Sequence, residues 1–255
     1  ISIFLGLTQA SIYSNYFYVF SALSGFTGII LTSIQAGIGN SIAIFNKDKN
    51  YSEMLKLDFI YMTISGWMSI SMLCLYQPFM SLWAGNELIF SEYTMMLFPI
   101  YFYTRRMGDI RNIYSDAAGL FWENRHRTML EMFANIILNY AFVKCWGAFG
   151  IMLATILTIV FIGYIGGTII LFKHYFKSGL RDYIMNQMLY GVIFVIIGGA
   201  TYRLCQFLGS DMSWLTLFER MIICFTVVPV CYLTLLHRTK KYKEAKKWIL
   251  SIIVH

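Results

Sequence analysis

The sequence predicts an all-α membrane protein, a polytopic bundle of about seven transmembrane helices preceded by the end of an eighth. Hydrophobic residues make up 58% of the 255 residues, and the mean hydropathy is +0.61. Charged residues make up only 13%, whereas a soluble domain carries about 25%. Long charge-free stretches recur along the chain, and the positive charges collect in alternate connections between them.

The charge-free stretches set the predicted helices. A helix needs roughly 20 mostly apolar residues to cross about 30 Å of hydrocarbon. The four longest charge-free stretches are 1–46, 59–86, 145–172 and 183–202. Together with shorter apolar windows they predict, in chain order, helices over 11–36, 57–77, 91–105, 128–145, 147–172, 186–207 and 213–236.

The first residues are expected to end an earlier helix. The chain begins with Ile1 inside apolar sequence, and no basic, signal-like region precedes it. We therefore interpret Ile1–Leu7 as the tail of an eighth helix and expect the chain to be a fragment of a longer protein.

The distribution of Lys and Arg predicts the orientation. Of the 20 such residues, Lys144, Arg203 and Arg220 fall in one set of connections and all the others fall in the alternate set. Positive residues mark cytoplasmic connections. The prediction is a transmembrane region over 1–236 and a basic cytoplasmic tail over 237–255 that contacts anionic membrane lipids. This distribution explains the net charge of +7, so a nucleic-acid partner is not required to account for it.

Motifs for cofactor, metal or enzyme chemistry are lacking in the sequence. The cysteines form no C-x-x-C pair, and the histidines have no ligand spacing. No nucleotide-binding loop and no G-x-S-x-G is found either. We expect no catalytic residue, no cofactor and no metal site. The cysteines are interpreted as free thiols in apolar surroundings: Cys74, Cys145, Cys205, Cys224 and Cys231.

Charged groups near the spans are few. The spans are expected to hold almost no carboxylate at mid-depth, Glu131, Asp211 and Glu219 lying near their ends. Arg203 and Arg220 lie near the outer ends of helices. They either reach to the lipid headgroups or meet a phosphate-bearing substrate, because an Arg fork matches phosphate oxygens.

Polar and small residues within the predicted membrane helices indicate contacts of those helices with something other than lipid. Asn15, Gln35 and Asn40 require hydrogen-bond partners in a dry bilayer, so they either join helices or face a wet cavity. Gly163 shares a face with Gly166 and Gly167, a pattern that allows close approach of helices.

Several segments together resemble bacterial polysaccharide flippases, the O-antigen and capsule exporters of the multidrug/oligosaccharidyl-lipid/polysaccharide superfamily. The opening ISIFLGLTQASIYSNYFYVF is similar to the start of their second lobe. Further similar segments are Gly39-Asn40, Pro78-Phe79 with Leu82-Trp83 and Gly85, the turn Gly147-Ala148-Phe149-Gly150, and the connection SDAAGLFWENRHRTMLEMFANIILN. The resemblance spans most of residues 1–175.

The resemblance implies a second lobe of a two-lobed, MATE-like transporter whose N-terminal lobe is missing here. The implied activity is passage of a polyprenyl-diphosphate-linked oligosaccharide across the bacterial cytoplasmic membrane, for surface polysaccharide assembly. Candidate substrate-binding residues are Asn15, Gln35, Asn40, Arg203 and Arg220. The implied cytoplasmic latch and family motif comprise Arg105, Arg111, Asp116, Gly119, Trp122, Arg125, Glu131 and Asn135, of which Glu131 and Asn135 share one helix face with Arg127.

Two alternatives remain open. A cation-coupled multidrug antiporter of the same superfamily predicts carboxylates at mid-membrane. A membrane-embedded glycosyltransferase or polymerase predicts a large outer loop, whereas the outer connections here are short.

Overall fold

The computed structural model describes residues 2–207 and 213–253, and within these ranges the chain forms helices joined by turns, with no strand. A short 3₁₀ turn occupies Asn86–Leu88, and π-helical segments occupy Ile159–Tyr164 and Phe172–Phe176. In chain order the α-helices are α1 (Ser2–Ile44), α2 (Lys47–Ala84), α3 (Glu92–Arg106), α4 (Asp109–Ala117), α5 (Phe121–Thr158), α6 (Ile165–Leu171), α7 (Leu180–Phe207), α8 (Trp214–Leu236) and α9 (Lys240–Ile253).

Among the residues that the structure describes, five helical stretches are long and apolar enough to cross a membrane. This confirms the predicted all-α class and supports a membrane protein. The third of these stretches comprises α5, α6 and both π-helical segments. The five are Phe4–Ile44, Lys47–Ala84, Phe121–Phe176, Leu180–Phe207 and Trp214–Leu236.

The helix bounds agree with the prediction where polar residues end a helix and differ where a helix continues into a polar segment. Helices α3 and α8 match the predicted 91–105 and 213–236. By contrast, α2 begins at Lys47, ten residues before the predicted start. The Asn46 side chain accepts a hydrogen bond from the Lys49 backbone N–H at 2.9 Å and caps this polar first turn. Hydropathy detects only the part of a helix that lies in lipid.

Two glycines interrupt the long helices. Gly6 (φ 80°, ψ 173°) breaks α1 close to the predicted boundary at Leu7. Gly147 (φ 57°, ψ −135°) reverses the chain within α5, because this backbone conformation is open to glycine and strained for other residues. Across the turn, Asn135 Nδ2 donates to Thr158 Oγ1 at 2.9 Å. The two arms of α5 are therefore antiparallel neighbours.

Helix α2 lies at the centre and has a packed core on each side. On one side Tyr16 and Phe20 of α1 pack with Tyr76, Phe98 and other aromatic residues of α2 and α3. On the other side α7 and α8 pack against α2, and the ring of Phe194 stacks on Tyr103 with centroids 4.2 Å apart.

Most of the basic tail forms a helix. Residues 240–253 form α9, which packs on α2, and its Ala245 is buried. The Lys56 ammonium lies 5.4 Å from the centre of the Trp248 ring. The positive residues of α9 thus lie on a helix that is held against the bundle by its apolar side.

The close approach of the two α5 arms predicts that Gly150→Ala is destabilising. A Cβ at Gly150 would lie 2.2 Å from the backbone oxygen of Phe142, which cannot move without bending the opposite arm. We expect a loss of about 1–3 kcal/mol in the free energy of unfolding in detergent. Gly191→Ala is the matched control, since nothing lies within 4 Å of its Cβ position. An equal response of the two variants would contradict the close packing.

Candidate functional site

A polar cavity lies at the end of the bundle where Lys47, Arg105 and Arg127 are found, which we call the basic end. Its volume is about 220 Å³, and α3, α4, the first arm of α5 and the π-helical segment surround it. Three arginines and two carboxylates face one another across this small volume. Its lining comprises Thr104, Arg105, Gly108, Asp109, Arg111, Asn112, Arg127, Glu131, Ile159, Gly163 and Tyr164.

Arg111 is the buried centre of the cavity, with only 3% of its surface exposed. Its Nη1 donates to the carbonyl oxygens of Gly163 at 3.2 Å and Tyr164 at 2.9 Å, and its Nη2 donates to Asn112 Oδ1 at 2.6 Å. Both carbonyls belong to the π-helical segment Ile159–Tyr164, a type of turn that often marks functional sites. Burial lowers the pKa of Arg111, but a guanidinium remains charged in proteins.

Arg127 and Glu131 form an ion pair on the first arm of α5. Arg127 Nη1 lies 2.8 Å from Glu131 Oε2, and it also donates to the carbonyl of Gly163 at 3.3 Å. Asn135, one turn further, bonds to Thr158. The predicted common face of Arg127, Glu131 and Asn135 is confirmed, and this face is turned toward the returning arm.

Gly163, Gly166 and Gly167 leave the space that these charged side chains occupy. A Cβ at Gly163 would lie 2.8 Å from Glu131 Oε1, and one at Gly167 would lie 2.0 Å from Arg111 Nη1. At Gly166 it would lie 3.1 Å from Cγ of Arg127. The three glycines therefore allow a polar contact between helices, beyond the close helix approach that the sequence suggested.

A second polar cluster beside the cavity links four helices. Arg106 Nη1 lies 3.0 Å from Asp109 Oδ2 and donates to Thr27 Oγ1 of α1 at 3.1 Å. The Tyr61 hydroxyl of α2 donates to the same Asp109 oxygen at 2.6 Å. Burial raises the pKa of the Asp109 carboxyl, and the Arg106 charge opposes that rise. This cluster was not predicted, because Arg106 is one of many positive residues in a connection.

The predicted latch residues lie in two adjoining places. Arg105, Arg111 and Glu131 line the polar cavity, although Arg105 itself is exposed. Asp116 and Arg125 line a neighbouring cavity, which also borders on Asn112 and Arg127.

The turn from α4 to α5 carries the other two motif residues. Arg125 stacks on Trp122, with the guanidinium carbon 3.4 Å from the ring centre, and Trp122 is 72% exposed. Gly119 has φ 74° in this turn. Burial raises the pKa of the nearby Asp116.

The predicted substrate-binding residues are distributed over three helices. On α1, Asn15 is half-buried, and Gln35 and Asn40 are exposed. Arg203 is exposed on α7, whereas Arg220 on α8 is half-buried and interacts electrostatically with Cys205 and Tyr202 of α7. None of these five residues lines the polar cavity at the basic end. Asp211 lies outside the described residues.

One buried carboxylate was missed by the sequence interpretation. Asp58 is 2% exposed and accepts a hydrogen bond from Gln187 of α7. It lies about three turns into α2, because that helix begins at Lys47. The sequence interpretation did not single out this buried carboxylate. The predicted start at residue 57 placed Asp58 at the membrane surface.

No protein-family model, no curated protein and no solved structure matches this chain.

The hydrogen bonds of Arg111 predict that Arg111→Ala unfolds more easily than the native chain. The variant removes two hydrogen bonds from a charged donor, although the Gly163 carbonyl keeps Arg127 and the Tyr164 carbonyl keeps the Thr168 hydroxyl. Hydrogen bonds to charged groups each contribute about 1.5–3 kcal/mol. We expect a loss of at least about 2 kcal/mol in the free energy of unfolding in detergent. Arg105→Ala is the control: Arg105 is exposed and its hydrogen bond to Tyr101 is long, at 3.4 Å. If both variants lost the same stability, Arg111 would not be the centre of the cavity.

Proposed function

We propose that this chain is one lobe of a transporter that passes a polyprenyl-diphosphate-linked oligosaccharide across the bacterial cytoplasmic membrane. The transfer runs from the cytoplasmic to the outer leaflet and serves surface polysaccharide assembly. The partners are the lipid-linked oligosaccharide, the membrane lipids and a second lobe. Under the positive-inside rule, the basic end and the C-terminus face the cytoplasm.

The observation that carries this proposal is the exposed polar face of α1. Small and polar residues recur at intervals of three, four or seven residues along one side of the helix, and all of them are exposed. These residues share the side with Ile29, which is 66% exposed, and Ser14 and Thr32 bond to carbonyls of their own helix. A side chain such as Gln35 suits water and a sugar headgroup, because lipid offers it no hydrogen-bond partner. The residues are Ser11, Ser14, Tyr18, Ser21, Gly25, Thr32, Gln35 and Gly39.

The opposite side of α1 is apolar and buried in the bundle. Ile12, Tyr16 and Phe20 belong to the core shared with α2 and α3, and Ile38 belongs to a further buried cluster with Met54 of α2 and Leu171 of α6. At 100° per residue these positions lie almost diametrically opposite the polar face. Helix α1 therefore has one side fixed to this lobe and one side available to line a path between two lobes.

The number of crossings supports a lobe of the predicted kind. The long stretch Phe121–Phe176 contains the reversal at Gly147, so it crosses twice. With the shorter α3 also counted as a crossing, the proposed bundle has seven spans. Transporters of this architecture alternate access by rocking one half against the other around a central site.

The charged cluster at the basic end supports a latch role. Arg127, Glu131 and Arg111 hold α4 and the two arms of α5 together through an ion pair and shared carbonyl oxygens. We propose that these contacts stabilise one of the two transport states, with Asp116 and Arg125 beside them.

The latch role predicts that Glu131→Gln abolishes transport. In a strain that depends on this protein, we expect loss of surface polysaccharide and accumulation of the lipid-linked precursor, because the uncharged amide no longer pairs with Arg127. Surface polysaccharide is measured on gels, together with the abundance of the protein in membranes. Glu123→Gln, on the first turn of the same helix, is the matched control. Normal polysaccharide in both Glu131→Gln and Arg125→Ala cells would refute the latch.

A cation-coupled multidrug antiporter is the second candidate, and Asp58 favours it. This carboxylate is buried within a membrane-spanning helix, where an ionisable group is costly without a function. The side chains of Lys241 and Arg111 interact with it electrostatically. The hydroxyls of Tyr103 and Tyr190 face the same region, and neither has a hydrogen-bond partner among the described residues.

This candidate predicts that Asp58→Asn stops gradient-driven export of a cationic dye. The amide keeps the size of the side chain and removes the group that binds and releases a proton or a cation. Dye efflux from energised cells is the measurement. Asp48→Asn is the control, since Asp48 is exposed on the first turn of the same helix. If cells with the native protein export no dye, the antiporter candidate is excluded.

A further inference from the structure

Three of the five cysteines converge at one point in the bundle. Cys74 of α2, Cys205 of α7 and Cys224 of α8 are buried, and their Sγ atoms all lie within 4.8 Å of one another. Cys145 is exposed and Cys231 is half-buried, and neither belongs to the group. The sequence analysis interpreted all five as separate thiols. They are far apart along the chain, but these three lie together in the structure.

The helices that carry the three thiols are fixed by polar contacts near the cluster. Trp67 Nε1 of α2 donates to the backbone oxygen of Cys224 at 2.8 Å, which holds α8 against α2 at this level. The side chains of Tyr202 and Gln206 on α7, on either side of Cys205, bond to Glu92 of α3. These hydrogen bonds therefore hold the helices that carry the three thiols in place.

The surroundings are apolar, with one positive group beside them. The three cysteines belong to a core that includes Ile70, Ile197 and Val228, so the cluster is shielded from water. Arg220 interacts electrostatically with Cys205. This guanidinium offsets part of the negative charge that thiolate ligands carry.

We propose that Cys74, Cys205 and Cys224 form a binding site for a soft monovalent metal ion, Cu(I). Thiolate sulfur selects soft ions, and hard cations such as Mg²⁺ and Ca²⁺ prefer oxygen. A metal–sulfur bond of about 2.3 Å places three sulfurs around one ion about 4 Å apart, so the observed cluster needs to contract by less than about 1 Å. Three ligands suit trigonal Cu(I), whereas structural zinc takes four.

Binding is an exchange of protons for the metal. Three S–H bonds break, three protons leave for solvent, and three Cu–S bonds form with copper remaining Cu(I). The site then carries two negative charges, which Arg220 partly compensates. Affinity should fall as the pH is lowered, since protons compete for the same sulfurs. The site is separate from the polar cavity at the basic end and does not depend on the proposed transport.

The test is Cu(I) binding by the purified, reduced full chain under anaerobic conditions, in competition with a coloured Cu(I) chelator. We expect one Cu(I) per chain, with three sulfur neighbours at about 2.3 Å in X-ray absorption spectra. Cys74→Ser, Cys205→Ser and Cys224→Ser should each weaken binding by at least about tenfold, since even outer partners of a metal contribute tenfold or more. The double variant of Cys145→Ser and Cys231→Ser is the matched control and should bind as the native chain does.

Two results would overturn the proposal. The first is that the native chain takes up no Cu(I), or that its bound copper does not have three sulfur neighbours. The other is binding that survives replacement of the three clustered cysteines and is lost in the control. The absorption spectrum of the native protein keeps the test decisive even if a serine variant folds poorly.

Discussion

The contact between Arg111 and the π-helical segment determines the arrangement of the basic end. A charged side chain that is 3% exposed needs several acceptors, and the wide turn of Ile159–Tyr164 presents the carbonyls of Gly163 and Tyr164 to it. Gly167 leaves the space that the guanidinium occupies. This contact brings α4 against the returning arm of α5, and the Arg127–Glu131 pair adds to it from the first arm. The charges, the glycines and the irregular helix thus form one unit.

The same need to satisfy polar groups distinguishes the two sides of α1. On its buried side, polar atoms form hydrogen bonds to other helices: the Tyr16 hydroxyl donates to Gln77 Oε1 at 2.7 Å, and Thr27 Oγ1 accepts from Arg106. On the other side, Ser14 and Thr32 donate to carbonyls of their own helix, at 2.9 Å and 3.0 Å, and remain exposed. Such internal bonds leave the face hydrophilic without joining it to a neighbour, which is what a helix beside a water-filled path requires.

How much could be predicted from the sequence depended on whether the signal was local. Charge-free length and helical spacing predicted α3, α8 and the common face of Arg127, Glu131 and Asn135 correctly, because these features arise within one helix. Asp58 was missed because hydropathy carries no information on which side chains another helix covers, and this carboxylate is buried against Gln187 of α7. The cysteine cluster and the contact of Arg106 with Thr27 join residues far apart in the chain, so only the packing of helices brings them together.

The most direct measurement is the water accessibility of α1. Single cysteines are placed at Ser14, Ser21 and Thr32 in a variant that has Ser at Cys145, and they are exposed to a membrane-impermeant maleimide in a bilayer. Ile137 and Val195, 66% and 67% exposed on the apolar outer surface, are the lipid-facing controls. The account predicts labelling at the three α1 positions and none at the controls. Equal protection at all five positions would show that α1 faces lipid, and the transport path proposed along it would be wrong.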